Sequence, residues 1–248
     1  MMKTFKLTLE YDGSDFNGWQ VQAGGQRTVQ GEIEAVLSRM FKVDRLVVIG
    51  SGRTDTGVHA RGQVAHFRVV TDMPADEIMR ALNYNLPRDI VVVKAEEVPR
   101  KFHAQRSAQS KVYTYTVLNR SYASALDRKR CCFFPRKLDV RLMRQEARAF
   151  VGRKDFSSFA NIDRSRTCGA VRTIRRLEIK KSGDFIRITV ESDGFLYKMV
   201  RNIVGTLLGV GSGRFPAGSV AAMLKSKDRR AAGVAAVPQG LCLEEVKY

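Results

Sequence analysis

Apolar and polar residues alternate along several short stretches of the first half, which is typical of half-buried β-strands. Thr28 stands where a helix N-cap is expected, and apolar positions three and four residues apart follow it. The order β-α-β-β-α-β that results is typical of the ferredoxin-like unit. Strands are predicted over 5–11, 46–49, 64–70 and 90–93, and helices over 28–41 and 74–82, with a glycine-rich loop over 50–62.

The second half repeats this order without evident sequence identity to the first. Ser182-Gly183-Asp184 is a hairpin signal between two strands, and Gly152 is expected to close a helix that Asp139 caps. Strands are predicted over 111–118, 173–179, 185–191 and 241–246, and helices over 139–151, 195–210 and 220–225.

The predicted fold class is therefore α/β, more narrowly α+β, with two tandem ferredoxin-like (RRM-like) βαββαβ domains. The first domain is expected over 1–107 and contains the glycine-rich loop; the second is expected over 108–248. No linker rich in Pro, Gly or Ser separates the halves. We therefore expect a joined, mainly antiparallel sheet with a central cleft, which is a natural ligand site.

Charge points to the class of partner. The 248 residues include 43 Lys and Arg against 25 Asp and Glu, a net charge of +18. Such an excess favours a polyanion, and nucleic acid is preferred over membrane because no apolar run approaches about 18 residues. The N-terminus has no apolar signal segment, so a cytoplasmic protein is expected. Basic residues cluster at 128–130, 136–137, 141–148, 164–166, 172–176 and 225–230.

Cysteine usage gives no indication of a metal site. The four cysteines, at 131, 132, 168 and 242, form no Cys-x-x-Cys pair, and the chain has three histidines. We expect small buried thiols in a reducing compartment, with no metal site and no cofactor.

The glycine-rich loop is the segment most suggestive of chemistry. It lacks the Gly-Lys-Ser/Thr ending of a phosphate-binding P-loop, but it places Arg53 two residues before Asp55. An arginine beside a carboxylate keeps it ionised, as a nucleophile or base requires. An aspartate in such a loop is also a common turn former that hydrogen-bonds to its own backbone. Local chemistry alone therefore leaves two interpretations of Asp55 open, a catalytic carboxylate and a turn former. His59 is expected to hold the loop and His66 to be packed in a strand.

Tyrosines alternate on the first strand of the second half. Tyr113 and Tyr115 are two residues apart, so one face of that strand is aromatic. Ferredoxin-like sheets often bind RNA through exposed aromatics, but the match to a full pattern of that kind is poor.

Nine residues at 52–60, Gly-Arg-Thr-Asp-Thr-Gly-Val-His-Ala, resemble the active-site motif of the bacterial tRNA pseudouridine synthase A family. The sequence departs from many members at Thr56, where they have alanine; the added hydroxyl is expected to change little. Further short matches follow the family's order along nearly the whole chain, at 10–13, 18–20, 62–64, 85–87, 102–104, 199–205 and 240–241.

This resemblance implies an isomerase of the intramolecular transferase type. Uridine becomes pseudouridine at positions 38, 39 and 40 in the anticodon stem-loop of tRNA, when the base leaves the ribose at N1, rotates and rejoins through C5. The resemblance implies no cofactor, tRNA as the partner, and a homodimer.

The resemblance also assigns roles to five residues. Asp55 corresponds to the catalytic aspartate, which acts as a nucleophile at C1′ or at C6 of the base, or as the base that deprotonates the sugar. Arg53 corresponds to a loop arginine that holds the flipped nucleotide or its phosphate, and Arg201 to the arginine that pairs with the aspartate. Tyr113 corresponds to the tyrosine that stacks on the target base, and Leu241 to an apolar residue beside that tyrosine.

Two other functions are compatible with the charge and the predicted fold. One is a non-catalytic RNA-binding protein with two RRM-like domains, and the other is a metal-dependent nuclease using carboxylates such as Asp12, Asp15 and Asp55. All three functions predict RNA binding that weakens steeply with salt, so binding alone does not separate them.

Overall fold

The computed structural model describes residues 1–161 and 169–248, and it divides into two compact units. Unit 1 comprises Met1–Gln109 and Cys242–Tyr248, and unit 2 comprises Ser110–Leu241. Arg164, Arg166 and Cys168 lie outside the described residues. Within those ranges the strands are β1 (Met2–Tyr11), β2 (Ile49–Gly50), β3 (His59–Val70), β4 (Ile90–Val98), β5 (Ser110–Leu118), β6 (Cys132–Phe133), β7 (Gly152–Asp155), β8 (Val171–Ser182), β9 (Phe185–Ser192) and β10 (Leu241–Lys247). The helices are α1 (Val29–Phe41), α2 (Ala75–Asn85), α3 (Val140–Ala147), α4 (Met199–Gly211) and α5 (Ser219–Ser226).

Unit 1 is built on a sheet with β1 between β4 and β3. Both pairings of β1 are antiparallel, so most of this sheet is antiparallel. β2 pairs antiparallel with β3, and β10 pairs parallel with the start of β3. Each unit thus combines helices with a mostly antiparallel sheet, which confirms the predicted α+β class.

Alternation along β1 produces the core of unit 1. Phe5, Leu7 and Leu9 are fully buried on one face, and the Phe5 ring stacks on Phe67 of β3 at a centroid distance of 5.5 Å. Thr28 caps α1 as predicted, because its side-chain oxygen accepts the Gly31 N–H at 3.2 Å.

Of the buried strand predicted over 46–49, only Ile49 lies in a strand, and the prediction is wrong for 46–48. In this stretch the backbone N–H groups donate to side chains of α1 and not to a strand. The Leu46 N–H donates to Ser38 Oγ at 2.9 Å, and the Val48 N–H donates to Glu34 Oε1 at 3.0 Å. Because these donors bind side chains and not a neighbouring strand, only Ile49–Gly50 is paired. The predicted loop is also shorter than expected, since β3 begins at His59.

Unit 2 contains a second mostly antiparallel sheet, in the order β5-β9-β8-β7, with β6 added in parallel to β5. β8 and β9 form the predicted hairpin around Gly183, which has a φ of +56°. Asp139 caps α3 as predicted, by accepting the Leu142 N–H at 2.9 Å. Helices α3 and α4 pack against each other.

Helix boundaries in unit 2 differ from the predicted ones. The helix expected over 195–210 begins at Met199, because Lys198 has a left-handed φ of +59° that ends any helix before it. The helix expected to run to 151 ends at Ala147 and continues as a short 3-10 turn. Gly152, at a φ of +99°, begins β7.

The last strand also differs from its predicted place. The strand predicted over 241–246 is expected in the second half, but from Cys242 onward it belongs to unit 1. Cys242 and Leu243 pair with His59 and Ala60 of β3. The Gln109 N–H donates to the Lys247 carbonyl at 2.8 Å, which ties the end of β10 to the same unit.

The described cysteines agree with the expectation of thiols. Cys131 and Cys132 are buried, Cys242 is partly buried, and all three are free. Burial raises the pKa of both Cys131 and Cys132, so these thiols stay protonated at neutral pH. In residues 1–161 and 169–248, no helix has the length and hydropathy needed to cross a membrane.

Candidate active site

The loop between β2 and β3 is held against the segment that follows β1. Gly13 and Gly18 of that segment lie so close to the loop that neither position has room for a side chain. A Cβ on Gly13 would collide with the Val58 carbonyl, and one on Gly18 would lie 2.5 Å from the Thr54 carbonyl oxygen. These two close approaches require glycine, and they place the loop backbone on both sides of Asp55.

Backbone hydrogen bonds order the loop around Asp55. The Trp19 N–H donates to the Thr54 carbonyl at 3.1 Å, and the Val58 N–H donates to the Asp55 carbonyl at 3.1 Å. Gly57 completes the turn with a φ of +76°. Asp55 is half-buried and Arg53 is exposed. The predicted pair therefore shares one ordered loop of unit 1.

A buried polar network, which sequence reasoning missed, supports the start of the loop. Gln63 of β3 is fully buried; its amide donates to the Gly52 carbonyl at 3.0 Å, and its oxygen accepts the Ser51 hydroxyl at 2.7 Å. Tyr11 and Thr54 share a hydrogen bond at 2.9 Å. Burial raises the pKa of Tyr11, so the phenol stays protonated. The available signal was a glutamine on the core-facing side of a strand, since buried amides need partners.

The histidines occupy the places expected for them. His59 joins the loop to the segment after β1, because its Nδ1 accepts the Gly13 N–H at 3.1 Å and lies 3.2 Å from Asp12 Oδ1. His66 is packed within β3 and buried. Its Nδ1 accepts the Ala104 N–H at 3.2 Å.

The two tyrosines of β5 occupy the same face in unit 2. Tyr113 is 7% exposed, and its ring meets Phe195 edge to face at a centroid distance of 5.1 Å. Tyr115 is fully buried, and its hydroxyl donates to the Val237 carbonyl at 2.8 Å. Phe195, predicted as part of a helix, is thus a packing partner of Tyr113.

In unit 2 the segment from Ala236 to Leu241 is hydrogen-bonded to Arg201 at its start and has Leu241 at its end. Arg201 is in the first turn of α4, where its Nε donates to the Ala236 carbonyl at 2.7 Å and its own carbonyl accepts the Ala236 N–H at 2.9 Å. At the other end, a Cβ on Gly240 would lie 2.6 Å from the Tyr115 ring. The segment from Ala236 to Leu241 therefore connects α4 to β5, and Leu241 itself is buried.

Lys111 is a further residue that sequence reasoning missed. It lies two positions before Tyr113 on β5, so both side chains are on the same face of the strand. Burial lowers the pKa of Lys111 to about 8, so more of the amine is neutral at physiological pH than for an ordinary lysine. The spacing Lys-x-Tyr was the available signal.

Among the residues that the structure describes, no three His, Cys, Asp or Glu side chains are grouped so that they could hold a metal ion. Asp12, named above as a candidate metal ligand, instead accepts hydrogen bonds from the Ser14 backbone at 3.0 Å and from the Ser14 hydroxyl at 2.6 Å. It therefore forms the start of a local turn.

Comparison with known proteins identifies the family. The family model described as tRNA pseudouridine synthase matches residues 8–105 and 147–248. The chain is 47% identical over 244 residues to tRNA pseudouridine synthase A of Bacillus pumilus (strain SAFR-032), covering 98% of each chain. It is 41% identical over 247 residues to tRNA pseudouridine synthase A 2 of Clostridium perfringens (strain 13 / Type A), and 42% identical over 247 residues to tRNA pseudouridine synthase A of Thermoanaerobacter sp. (strain X514). Each of these two alignments covers 100% of both chains.

Similarity to solved structures is much weaker. A chain from the archaeal box H/ACA sRNP Nop10-Cbf5 complex has 12% identity and a TM-score of 0.35, covering 94% of this chain and 58% of that chain. The assignment rests on the family model and on relatives aligned over the full length. This chain belongs to the tRNA pseudouridine synthase family, whose members are isomerases that convert uridine to pseudouridine.

Proposed function

We propose that the chain isomerises uridine to pseudouridine at positions 38, 39 and 40 of the tRNA anticodon stem-loop, with Asp55 as the catalytic residue. The observation on which this rests is the ordered loop around Asp55 in a chain of this family. Hydrogen bonds to the carbonyls of Thr54 and Asp55 preorganise the backbone, so little entropy is lost when the carboxylate meets its substrate.

The chemistry is an internal rearrangement with no net change of atoms. The C1′–N1 bond breaks and a C1′–C5 bond forms, while C5 loses a proton and N1 gains one. Asp55 acts in one of three ways: as a nucleophile at C1′, as a nucleophile at C6, or as the base that deprotonates the sugar. Each way requires the ionised carboxylate.

Two arginines are proposed to support Asp55. Arg201 is assigned the pairing with the carboxylate, since a desolvated anion needs a cation. Its Nε is already held by the Ala236 carbonyl, which restricts the orientation of the planar guanidinium. Arg53, exposed on the loop, is assigned to the flipped nucleotide or its phosphate.

Tyr113 and Leu241 are proposed to bind the target base. A base within a stem must be extruded before chemistry, at a cost of a few kcal/mol. Stacking on an aromatic ring returns about 1–3 kcal/mol per base. Phe195 holds the Tyr113 ring edge to face, so the ring is positioned before the substrate arrives. Leu241 is assigned an apolar contact beside that tyrosine.

The decisive experiment maps pseudouridine in tRNA after incubation with the purified chain. We expect the wild type to modify positions 38, 39 and 40, and Asp55→Asn to lose at least about 10³-fold in rate while tRNA affinity stays within a factor of about two. Asp72→Asn, which changes an exposed carboxylate just after β3, serves as the control and should retain wild-type activity.

Each other outcome has a definite meaning. Full activity of Asp55→Asn would disprove the role of that carboxylate. Binding of tRNA without any isomerisation by the wild type would favour the non-catalytic RNA-binding function. Chelator-sensitive cleavage of tRNA would favour a nuclease.

We also propose the finer architecture that the family resemblance implies. In unit 1 the order β4-β1-β3 with β2 on the edge of β3 supports a ferredoxin-like βαββαβ unit, and in unit 2 the order β5-β9-β8 with α3 and α4 supports the same assignment. A cytoplasmic homodimer is assigned on the same resemblance. Light scattering should then give twice the chain mass of 27.8 kDa.

A further inference from the structure

A long connection in unit 2, between β5 and α3, concentrates positive charge. We call residues 119–137 the basic loop. It has six basic residues and one acidic residue, Asp127. Charge of this density on one connection favours an anionic partner, because the repulsion among the cations falls when an anion binds. The basic residues are Arg120, Arg128, Lys129, Arg130, Arg136 and Lys137.

The basic loop is anchored to the sheet at both ends. At its start, the Asn119 side-chain amide donates to the Phe134 carbonyl at 2.9 Å and to the Arg136 carbonyl at 2.7 Å. Near its end, β6 pairs in parallel with the last residues of β5. The start and the end of the basic loop are therefore held close to each other at the end of β5.

Hydrogen bonds also order the interior of the basic loop. The Ser124 hydroxyl donates to Asp127 Oδ2 at 2.8 Å, and the Asp127 N–H donates back to Ser124 Oγ at 3.0 Å. The Arg130 N–H then donates to the Asp127 carbonyl at 2.8 Å. The single acidic residue, Asp127, thus makes its hydrogen bonds inside the basic loop. Through its carbonyl it also fixes the backbone position of Arg130.

Tyr122 forms an aromatic platform on this loop. The Arg120 guanidinium lies 4.2 Å from the centroid of the Tyr122 ring, while the tyrosine remains 64% exposed. Arg120 is itself fixed, since it donates to the carbonyls of Tyr122 at 2.9 Å and Ala123 at 3.3 Å and lies 3.4 Å from Asp184. The cation covers one face of the ring and is preorganised by the loop.

We propose that the basic loop is an RNA-docking surface, on which Tyr122 stacks on an unpaired base of tRNA and the Arg128–Arg130 run contacts phosphates. An exposed aromatic ring beside a row of cations matches a single-stranded nucleic acid, which offers a π-face and a charge at each nucleotide. A membrane is disfavoured because, of the three large apolar side chains that residues 119–137 expose, only Leu126 is aliphatic; the other two are the aromatic Tyr122 and Phe133. This inference rests on the proposed function, since it adds a contact for the same tRNA away from the reacting base.

The test compares matched tyrosine variants by tRNA affinity at constant salt. Tyr122→Ala should weaken tRNA binding about tenfold, and Tyr122→Phe should stay within a factor of about two, because the ring and not the hydroxyl is used. Tyr84→Ala is the control: Tyr84 is 90% exposed on α2 of unit 1, and its removal should leave affinity unchanged. Single-turnover isomerisation at saturating tRNA should be the same for all three variants, so that the Tyr122→Ala defect appears in KM and not in kcat.

The charge component has its own readout. Replacing Arg128, Lys129 and Arg130 together by glutamine should reduce the slope of log affinity against log salt by about two, because fewer counterions are released on binding. Tyr122→Ala should leave this slope unchanged. The two components are thereby separated by measurement.

Failure of this inference is distinguishable from failure of the proposed function. Wild-type tRNA affinity in Tyr122→Ala, or an equal loss in Tyr84→Ala, would overturn the docking role even if isomerisation proceeds normally. An unchanged salt slope in the triple variant would overturn the phosphate contact. If the wild type binds tRNA but does not isomerise it, the proposed function fails, and the same affinity comparison still decides the docking role.

Discussion

Gly18 and Thr54 are in direct backbone contact across the loop that contains Asp55. Gly18 has a φ of +82°, and a Cβ built on it would lie 2.5 Å from the Thr54 carbonyl oxygen and 3.1 Å from the Asp55 carbonyl carbon. The same Thr54 carbonyl accepts a hydrogen bond from the N–H of Trp19, the residue that follows Gly18. The position of the proposed catalytic carboxylate therefore depends on a residue 37 positions earlier in the chain.

Gly18→Ala is expected to lower the free energy of unfolding by about 3 kcal/mol or more, because backbone strain and a backbone collision add together. Gly24→Ala is the matched control. Gly24 also has a positive φ, +103°, but a Cβ there meets nothing within 4 Å, so the loss should be about 1 kcal/mol. Urea unfolding measures both values. Equal losses of unfolding free energy in the two variants would show that the close contact between Gly18 and Thr54 does not add to the cost of the substitution.

Gln63→Leu tests the buried network beneath the loop. The leucine leaves the Ser51 hydroxyl and the Gly52 carbonyl without their side-chain partner, so unfolding free energy should fall by roughly 2–4 kcal/mol. Adding Ser51→Ala should cost less in this background than in the wild type, because the hydrogen bond between Ser51 and Gln63 has already been lost. A double-mutant cycle from urea melts measures the coupling, and strictly additive losses would contradict it.

Tyr113 variants separate stacking from simple packing. Tyr113→Phe keeps the ring against Phe195, so tRNA affinity should remain close to that of the wild type. Tyr113→Ala should lose a further 1–3 kcal/mol or so of binding free energy and also lower the melting temperature. Affinity is measured below the melting temperature of each variant. If both variants bound equally well, the stacking role would be wrong.

His66 makes stability depend on pH in the acidic range. Its burial, assisted by His103 and Arg68, lowers its pKa to about 4 from an ordinary value near 6.5. Between these values the unfolded chain takes up a proton that the folded chain does not, so stability falls as pH is lowered from about 6.5 to about 4. The total loss from this group is roughly 3 kcal/mol.

His66→Asn checks the assignment of this pH dependence. The amide oxygen can still accept the Ala104 N–H but does not titrate, so the fall in stability over that window should become shallower. Urea midpoints measured at pH 4.5, 5.5, 6.5 and 7.5 provide the comparison. An identical slope in wild type and variant would assign the pH dependence to other groups.

Local patterns predicted the elements whose signals lie within a few residues. Burial period and turn geometry act over short distances, so such signals were sufficient to predict an element correctly. Examples are the alternation along 5–11 and 111–118, the cap at Thr28 and the hairpin at Gly183. The loop around Asp55 also stood out locally, because its glycine spacing and the Arg-x-Asp pair are continuous in sequence.

The sequence by itself determined the α+β class, the family and the candidate carboxylate. Only the tertiary structure decided that the chain from Cys242 onward pairs within unit 1, that side chains of α1 replace a strand at 46–48, and that Gln63 supports the loop. In each of these cases the deciding hydrogen bond joins residues far apart in the chain. A local pattern shows that a buried polar group needs a partner, but the partner is selected only when the fold brings the two together.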